Sequence, residues 1–177
     1  RIDANTIASG SRDDTIRIWN ISTGECTKII KQRYDINTLL FHHESNYLIS
    51  GTDDKIVRCF DLKTGNCVKE LKGHDFGITA LAPLGHISGH CRVVSGSADR
   101  TIKIWDMTTG KCLFTLEGHT DSINGLISLG HNTFASCGDT TICVWDSTTG
   151  MCIRKLQGHT GKITSICATS PDTIVSS

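Results

Sequence analysis

The sequence predicts an all-β protein built from tandem four-stranded antiparallel sheets, because two markers recur along the chain with one period. An aromatic residue that precedes Asp or Asn returns at intervals of 41, 45 and 40 residues, at Trp19, Phe60, Trp105 and Trp145. The dipeptide Gly-His returns at intervals of 45 and 40 residues, beginning at Gly73, Gly118 and Gly158. Two independent markers that keep the same spacing indicate an internal repeat.

Each period contains four strand-like segments, which are clearest in the third unit. Residues 78–84 are an apolar run that fits a buried inner strand, and residues 92–97 and 101–106 predict a hairpin. Residues 111–116 predict an outer strand, which follows a turn where Gly110 supplies a positive φ. Alternation along the third strand puts large apolar groups on both faces, so each sheet must pack between two similar sheets.

The whole chain, residues 1–177, is predicted to be a single repeat region with incomplete first and last units. The units are predicted at residues 1–31 (second to fourth strands), 32–72, 73–117, 118–157 and 158–177 (first two strands). The second unit has Gln32-Arg33 in the Gly-His position. The fourth hairpin is one residue short at Gly138-Asp139, and the third unit carries an insertion within residues 82–91, expected to be a surface loop.

The composition and the net charge argue against some classes of function. Hydrophobic residues make up 38% of the chain and charged residues 20%, which is typical of a globular protein. The 18 basic residues balance the 18 acidic ones, so the sequence lacks the basic excess that a dedicated nucleic-acid binder usually carries. It also lacks an apolar run of about 18 residues, the minimum for a membrane span. We therefore expect neither a membrane nor a nucleic acid as partner.

The paired Gly-His and Trp-Asp markers, with the Ser-Gly-Ser-x-Asp hairpin between them, make the chain resemble WD-repeat β-propellers over nearly its whole length. The resemblance implies a partial propeller with about four blades of four antiparallel strands. A closed four-blade ring, in which residues 163–168 complete the first blade, is the alternative.

The same resemblance implies a non-enzymatic scaffold that presents a loop face to other proteins or peptides. We expect no cofactor and no small-molecule substrate. Substrate recognition within an F-box-type ubiquitin ligase is the alternative function, since the short repeats are faintly similar to F-box/WD-repeat proteins. A propeller enzyme or a nucleic-acid binder is a remote alternative.

A recurring set of Ser, His, Asp and Trp could be mistaken for catalytic machinery. The resemblance instead implies a structural network, in which the turn Asp holds the His, the His meets the hydroxyl and the hydroxyl meets the indole. Its predicted members are His74, Ser95, Asp99, Trp105, His119, Ser136, Asp139, Trp145, Asp13, Trp19, Asp54 and His159. Repetition favours scaffolding, because one catalytic copy would suffice. Ser50 and Asp54 are expected to be held more loosely, since their unit lacks both His and Trp.

In a propeller of this family, one face collects the loops between successive blades and the turns between second and third strands. The candidate partner-binding residues on that face are Arg12, Tyr34, Asp35, Asn37, Asp53, Phe76, Thr79, Ser122, Asn124 and Lys162. Tyr34 and Phe76 are assigned to the position that Thr120 and Thr160 fill in other units, and aromatic side chains there suit interface anchors. The alternative is that they pack on their own blades. Arg12 alone would offer a cation for a phosphate group, which usually needs several.

Four of the nine cysteines recur in the same slot, two residues after a glycine, at Cys26, Cys67, Cys112 and Cys152. Slots one blade apart are too distant for disulfides, so these cysteines are expected to be small buried hydrophobes in a reducing compartment, the cytoplasm or the nucleus. His86, His90 and Cys91 form the one cluster with metal-like chemistry. A fourth ligand is missing from it, and we expect no metal site.

Overall fold

The computed structural model describes the backbone of residues 1–87, 90–130, 132–170 and 172–177, and the side chains of these residues except at positions 86, 87 and 90. The described residues form strands and turns and contain no helix, and hence none that could cross a membrane. The all-β prediction is confirmed.

In the part of the chain that the structure describes, seventeen strands are arranged in five antiparallel sheets. The first sheet contains β1 (Thr6–Gly10), β2 (Thr15–Asn20) and β3 (Cys26–Lys31). The second contains β4 (Ile36–His42), β5 (Tyr47–Thr52), β6 (Ile56–Asp61) and β7 (Cys67–Lys72). The third contains β8 (Ile78–Ile87), β9 (His90–Ser97), β10 (Ile102–Asp106) and β11 (Cys112–Leu116). The fourth contains β12 (Gly125–Gly130), β13 (Thr133–Cys137), β14 (Thr141–Asp146) and β15 (Cys152–Gln157). The last contains β16 (Ile166–Ser170) and β17 (Thr173–Ser176).

Strand order within each sheet follows the sequence, and the innermost strands β4, β8, β12 and β16 are successive neighbours. Apolar side chains fill the space between consecutive sheets. Ile16 and Leu48 pack between the first two sheets, and Val57 and Trp105 belong to the cluster between the second and third. Because both faces of a central sheet are buried in this way, its stability depends on its neighbours.

Small residues in the second strand let the sheets approach closely. A Cβ on Gly96 would lie 2.4 Å from Ile123 Cγ2, and a Cβ on Gly51 would lie 2.5 Å from Ile78 Cγ2. In the second and third units the glycine of the Ser-Gly pair is therefore a steric requirement of stacking, because the isoleucine that begins the next unit occupies the space of its side chain. In the fourth unit Cys137 takes this position.

The sheets form an open series of propeller blades. The alternative of a closed four-blade ring is wrong, because β16 pairs with β17 in a separate sheet and β1 pairs only with β2 within the described residues. Completion of the first blade by β16 would require a pairing with β1.

The insertion in the third unit lengthens a hairpin, so the expectation of a surface loop is wrong. β8 extends to Ile87 and β9 begins at His90, and these two residues are paired across the hairpin. A register shift between Leu84 and Ile87 absorbs the change in length. Ile87 and His90 thus continue the antiparallel pairing of β8 with β9.

The recurrent cysteines are not buried as expected: Cys67, Cys112 and Cys152 are exposed and Cys26 is half-buried. Each opens an outermost strand at a register shift, where it pairs with the aromatic residue of the preceding strand. Its thiol donates a hydrogen bond to the carbonyl oxygen two residues later in the chain, and the distance from Cys112 Sγ to the Phe114 oxygen is 3.3 Å. All nine cysteines are free, which confirms the absence of disulfides.

Candidate partner-binding face

Backbone hydrogen bonds along one face join the first unit to the second, the third to the fourth and the fourth to the fifth. The amide of Ile36 donates to the carbonyl of Ser11 at 3.2 Å, and the amide of Ile123 donates to that of Ser97 at 3.1 Å. The amide of Ile163 donates to the carbonyl of Asp139 at 2.8 Å. These bonds bring the turn between second and third strands of one unit against the entry to the first strand of the following unit.

Three of the candidate residues use their side chains to extend this seam. Asn37 Nδ2 donates to the carbonyl oxygen of Ile78 at 3.1 Å, and Asn124 Nδ2 donates to that of Ile163 at 2.7 Å. The Thr79 hydroxyl donates to the carbonyl oxygen of Ile123. All three side chains therefore fix one unit to the next, and a contact with a partner stays a prediction for them.

The charged candidates are paired across neighbouring loops. Arg12 Nε lies 3.8 Å from Asp35 Oδ2, with 89% of the Arg12 side chain exposed. Asn37 Nδ2 donates to Asp53 Oδ1 at 2.6 Å. Lys162 Nζ lies 2.9 Å from a carboxylate oxygen of Asp121. Exposed pairs of this kind add little stability, so their charges are available to a partner at small cost.

Ser122 is half-buried beside these charges, and its amide donates to Asp121 Oδ1 at 2.7 Å. Asp121 thus receives hydrogen bonds from its own loop and from Lys162, and these bonds lower the pKa of its carboxyl, with the Lys162 bond the largest cause. Lys162 and Ser122, both predicted for this face, are brought together through an aspartate that the sequence analysis did not select.

The two predicted aromatic anchors are solvent-exposed: Phe76 exposes 60% of its surface and Tyr34 exposes 47%. Lys55 Nζ lies 5.6 Å from the centre of the Phe76 ring, within range of a cation–π interaction. Lys55 was also missed from the sequence. It follows the turn aspartate of the second unit and adopts a positive φ of 72°, as Arg100 does at 70° in the third unit.

The position of the two aromatics in the repeat differs from the sequence alignment. Gln32 binds the serine hydroxyl that His74 binds in the third unit, so Gln32 is the equivalent of the histidine. Counted from Gln32 and the histidines, Tyr34 and Phe76 match Asp121 and Gly161, and the assignment to Thr120 and Thr160 is wrong. For Tyr34 the cause is the missing Gly-His pair of the second unit, whereas for Phe76 a direct count from His74 already gives the position two residues after the histidine.

In the third unit the Ser-His-Asp-Trp set forms a continuous chain. His74 Nδ1 donates to Asp99 Oδ2 at 2.8 Å, and the Ser95 hydroxyl donates to His74 Nε2 at 2.8 Å. Trp105 Nε1 donates to Ser95 Oγ at 2.8 Å. Burial lowers the pKa of His74 and outweighs the opposing effect of Asp99, so the ring is neutral at pH 7.

Asp99 is the anchor of this chain. Burial alone would raise the pKa of its carboxyl, but hydrogen bonds from Thr101, from the Asp75 amide and from His74 lower it to about 2. The Thr101 amide and hydroxyl donate to Asp99 Oδ1 at 2.8 and 2.6 Å, and the Asp75 amide donates to Oδ2 at 2.9 Å.

The fourth unit repeats this row of hydrogen bonds, but one of its contacts is long. The Ser136 hydroxyl bonds His119 Nε2 at 2.7 Å and receives Trp145 Nε1 at 2.8 Å. His119 Nδ1, however, lies 3.5 Å from Asp139 Oδ1 and has no hydrogen-bond partner among the described residues. The shorter hairpin explains the difference, because Asp139 is turned toward Thr120, whose amide and hydroxyl both donate to it at 3.0 Å.

The second unit replaces the missing histidine and tryptophan, and the expectation of loose contacts at Ser50 and Asp54 is wrong. Gln32 Nε2 donates to Ser50 Oγ at 2.9 Å, and Ser50 is fully buried. Arg58 donates to both carboxylate oxygens of Asp54 and also to Glu70 at 3.1 Å. A longer side chain and a guanidinium thus supply the donors that the regular network lacks.

The first and last units carry parts of the network. Trp19 Nε1 donates to Ser9 Oγ at 2.9 Å, and Asp13 accepts bonds from the Thr15 amide and hydroxyl at 3.0 and 2.6 Å. His159 Nε2 lies 2.7 Å from Ser176 Oγ. The hydroxyls of Ser95 and Ser136 in the complete networks have no exposed surface, so a substrate could not reach them.

Comparison with known proteins agrees with this geometry. The family model for the WD domain, G-beta repeat, matches five segments of the chain, at residues 2–20, 24–61, 65–106, 110–146 and 150–177. None of the curated proteins compared with the chain matches it. WD-repeat proteins are generally non-enzymatic scaffolds that bind other proteins or peptides. Five matched repeats, together with the repeated blades and their buried hydrogen-bond chains, show that this protein belongs to the WD-repeat family.

Proposed function

We propose that this protein is a non-enzymatic scaffold that binds a partner protein or peptide on the face that carries Tyr34 and Phe76. The exposed Phe76 ring is the observation on which the proposal rests, with 60% of its surface open and Lys55 beside it. An exposed aromatic side chain next to a cation offers both apolar contact area and a charge, the combination found at interface hot spots.

The surroundings of Phe76 support a docking role. Gly77, which follows it, lies so close to Asp53 that a Cβ there would be 2.9 Å from Asp53 Oδ1. The amide of Ala98 also donates to the Gly77 carbonyl at 3.0 Å. The backbone under the aromatic ring is therefore fixed on both sides, which reduces the entropy lost when a partner orders this surface.

The charges around the two aromatics are mixed, with Asp35 and Asp53 near Arg12 and Lys55. We propose that the partner presents an apolar side chain to the exposed Phe76 ring and polar groups of both signs around it. Electrostatic complementarity of this kind sets orientation and association rate more than affinity.

Replacement of Phe76 by alanine tests the proposal. We expect Phe76→Ala to weaken partner binding at least about tenfold, and Tyr34→Ala to weaken it less, because Phe76 is more exposed and lies near Lys55. Partners captured by cross-linking on the parent protein would be measured against each variant by calorimetry.

Met151→Ala is the matched control. Met151 is also apolar and exposes 68% of its surface, but it lies in the turn between β14 and β15, on the opposite face. Partner binding that survives Phe76→Ala and Tyr34→Ala unchanged, or that falls with Met151→Ala, would contradict the proposed face.

The ubiquitin-ligase alternative receives no support from the loop geometry. Its expected feature is a cluster of cations for a phosphorylated target, and Arg12 lies beside Asp35, which offsets its charge. The nine free cysteines support our further proposal that the protein works in a reducing compartment, the cytoplasm or nucleus.

A further inference from the structure

A cleft between the first two sheets lies where the third unit packs an indole ring. There Trp105 reaches the glycine of the Gly-His pair, since a Cβ on Gly73 would lie 3.4 Å from Trp105 Cη2. The second unit has Phe60 in place of the tryptophan, and Lys31 precedes Gln32, the residue that replaces the histidine. A smaller ring and a long side chain in place of glycine thus give this point of the repeat a different surface.

The cleft has a volume of about 390 Å³, which is within the range of pockets that hold small ligands. Lys31, at the end of β3, and Arg33, in the loop that follows, form one wall. Phe60 and Cys67 of the second sheet belong to the other wall. The cleft therefore offers apolar surface on one side and positive charge on the other.

The two cations are specific to this unit. Both side chains are exposed, and neither makes a hydrogen bond or an ion pair with another described residue. In the other units the positions before and after the histidine hold Gly73 and Asp75, Gly118 and Thr120, and Gly158 and Thr160. Lys31 and Arg33 are therefore not part of the repeated scaffold.

The other charged residues of the cleft are already paired. Arg58 donates to Asp54 at 3.0 Å and to Glu70 at 3.1 Å, and Lys72 Nζ lies 2.7 Å from Glu70 Oε2. Arg58 and Glu70 both line the cleft and offset each other. With Lys31 and Arg33 added, the described lining carries a net positive charge, which attracts an anionic group.

We propose that this cleft binds carboxylate side chains of an extended acidic peptide, with Lys31 and Arg33 as the residues that hold them. Hydrogen bonds from an ammonium or a guanidinium to a carboxylate are stronger than those between neutral groups. The methylene groups of the acidic side chains lie against the wall of Phe60 and Cys67. A phosphate carries more negative charge than a carboxylate at neutral pH, so Glu70 disfavours it more strongly.

The position of the cleft indicates where such a peptide comes from. Tyr34, one of the two aromatics of the proposed partner-binding face, directly follows Arg33 in the chain. A partner that contacts Tyr34 can therefore extend an acidic segment into the cleft. Only this source of the peptide rests on the proposed function, since the charges of the cleft belong to the chain itself.

The sequence analysis noted Gln32-Arg33 as a departure from the repeat but did not select it as a site. Only the folded chain brings this loop against Phe60 and Cys67. The cluster that the sequence analysis did consider for a ligand was His86, His90 and Cys91. The side chains of His86 and His90 lie outside the described residues, so the expectation of no metal there stays a prediction.

Fluorescence anisotropy with a labelled peptide of six glutamates tests the proposal at low ionic strength. We expect saturable binding of one peptide per chain, which weakens as salt screens the charges, and no binding of the same peptide made of glutamines. The double variant Lys31→Gln and Arg33→Gln should weaken binding at least about tenfold, because it removes both carboxylate partners. Both positions are exposed, so folding should be intact.

The matched control is the double variant Lys111→Gln and Arg154→Gln, which removes the same two charges at exposed positions of the third and fourth units. It should bind the glutamate peptide as the parent protein does. Absence of saturable binding, equal loss in the control variant, or binding of the glutamine peptide would overturn the proposal. Much tighter binding of a phosphoserine peptide of the same length would overturn the assignment to carboxylates. The peptide is measured without the partner, so failure here is separate from failure at Phe76.

Discussion

His74 and His119 occupy equivalent positions in neighbouring units, yet they meet their aspartates differently. The His74 ring is 2.8 Å from Asp99, whereas the His119 ring is 3.5 Å from Asp139. The single residue missing from the fourth hairpin redirects the carboxylate toward Thr120. The same four residue types therefore give a complete chain of hydrogen bonds in one unit and an interrupted chain in the next.

Removal of the Asp99 carboxylate should destabilise the protein, because it ends the complete hydrogen-bond network of the third unit. We expect Asp99→Ala to lower the free energy of unfolding by about 1–3 kcal/mol, because the donors of His74, Thr101 and the Asp75 amide would lose their acceptor in a partly buried site. Urea denaturation measures the change. Asp75→Ala, at an exposed position in the same loop, should have little effect, and an unchanged midpoint for Asp99→Ala would contradict the assigned role.

Single residues also mark the limits of sequence reasoning about the site. The network of the third unit could be predicted, because its four residue types keep a fixed spacing. The pair of Arg58 and Asp54 has a counterpart in Arg17 and Asp13 of the first unit, so the sequence could have suggested it. The donor of Gln32 could not be predicted, since no other unit has glutamine at that position. Lys55 was missed for a similar reason: its contact with Phe76 joins two units and leaves no periodic trace.

At the scale of the elements, the contact between sheets depends on a glycine and an isoleucine that face each other. Gly51 meets Ile78, and Gly96 meets Ile123. The strands themselves could be predicted from alternation and turn residues. The extension of β8 and β9 could not, because the insertion contains glycines and histidines that are typical of a loop, and only pairing across the hairpin makes it a ladder.

The close approach makes a steric prediction. We expect Gly96→Ala to destabilise the protein by about 1–3 kcal/mol, because the added methyl group would lie 2.4 Å from Ile123 Cγ2 and would push the third and fourth sheets apart. Thermal unfolding provides the measurement. Gly161→Ala is the control, since a Cβ there meets no atom within 4 Å, and equal melting temperatures for the two variants would contradict the steric account.

For the whole molecule, the buried histidines and aspartates act together on acidification. Burial lowers the pKa values of His74 and His119, and Asp99 has a pKa of about 2. Each group then binds fewer protons in the folded state than in the unfolded state over some range of pH. For the histidines this stabilisation is complete above pH 6.5, and for Asp99 it is complete above its usual pKa of 3.8.

Stability should therefore be nearly constant above about pH 7, fall as the pH drops through 6.5, and fall again as it drops from 3.8 toward 2. Urea midpoints measured between pH 4 and 8 check the first decline. His74→Gln, which copies the residue of the second unit, should make that decline shallower. A midpoint that stays constant from pH 7.5 to 5 would argue against buried neutral histidines.

The bonds that Asn37, Thr79 and Asn124 make between units run from a side chain of one unit to the main chain of the next, as from Asn124 to the carbonyl of Ile163. A main-chain acceptor is present whatever amino acid occupies the position. A substitution at the acceptor residue therefore leaves this bond intact, whereas a substitution at Asn37, Thr79 or Asn124 removes it. Selection for contact between the units therefore acts on the donor residue of each bond, and the acceptor residue can change without loss of the bond.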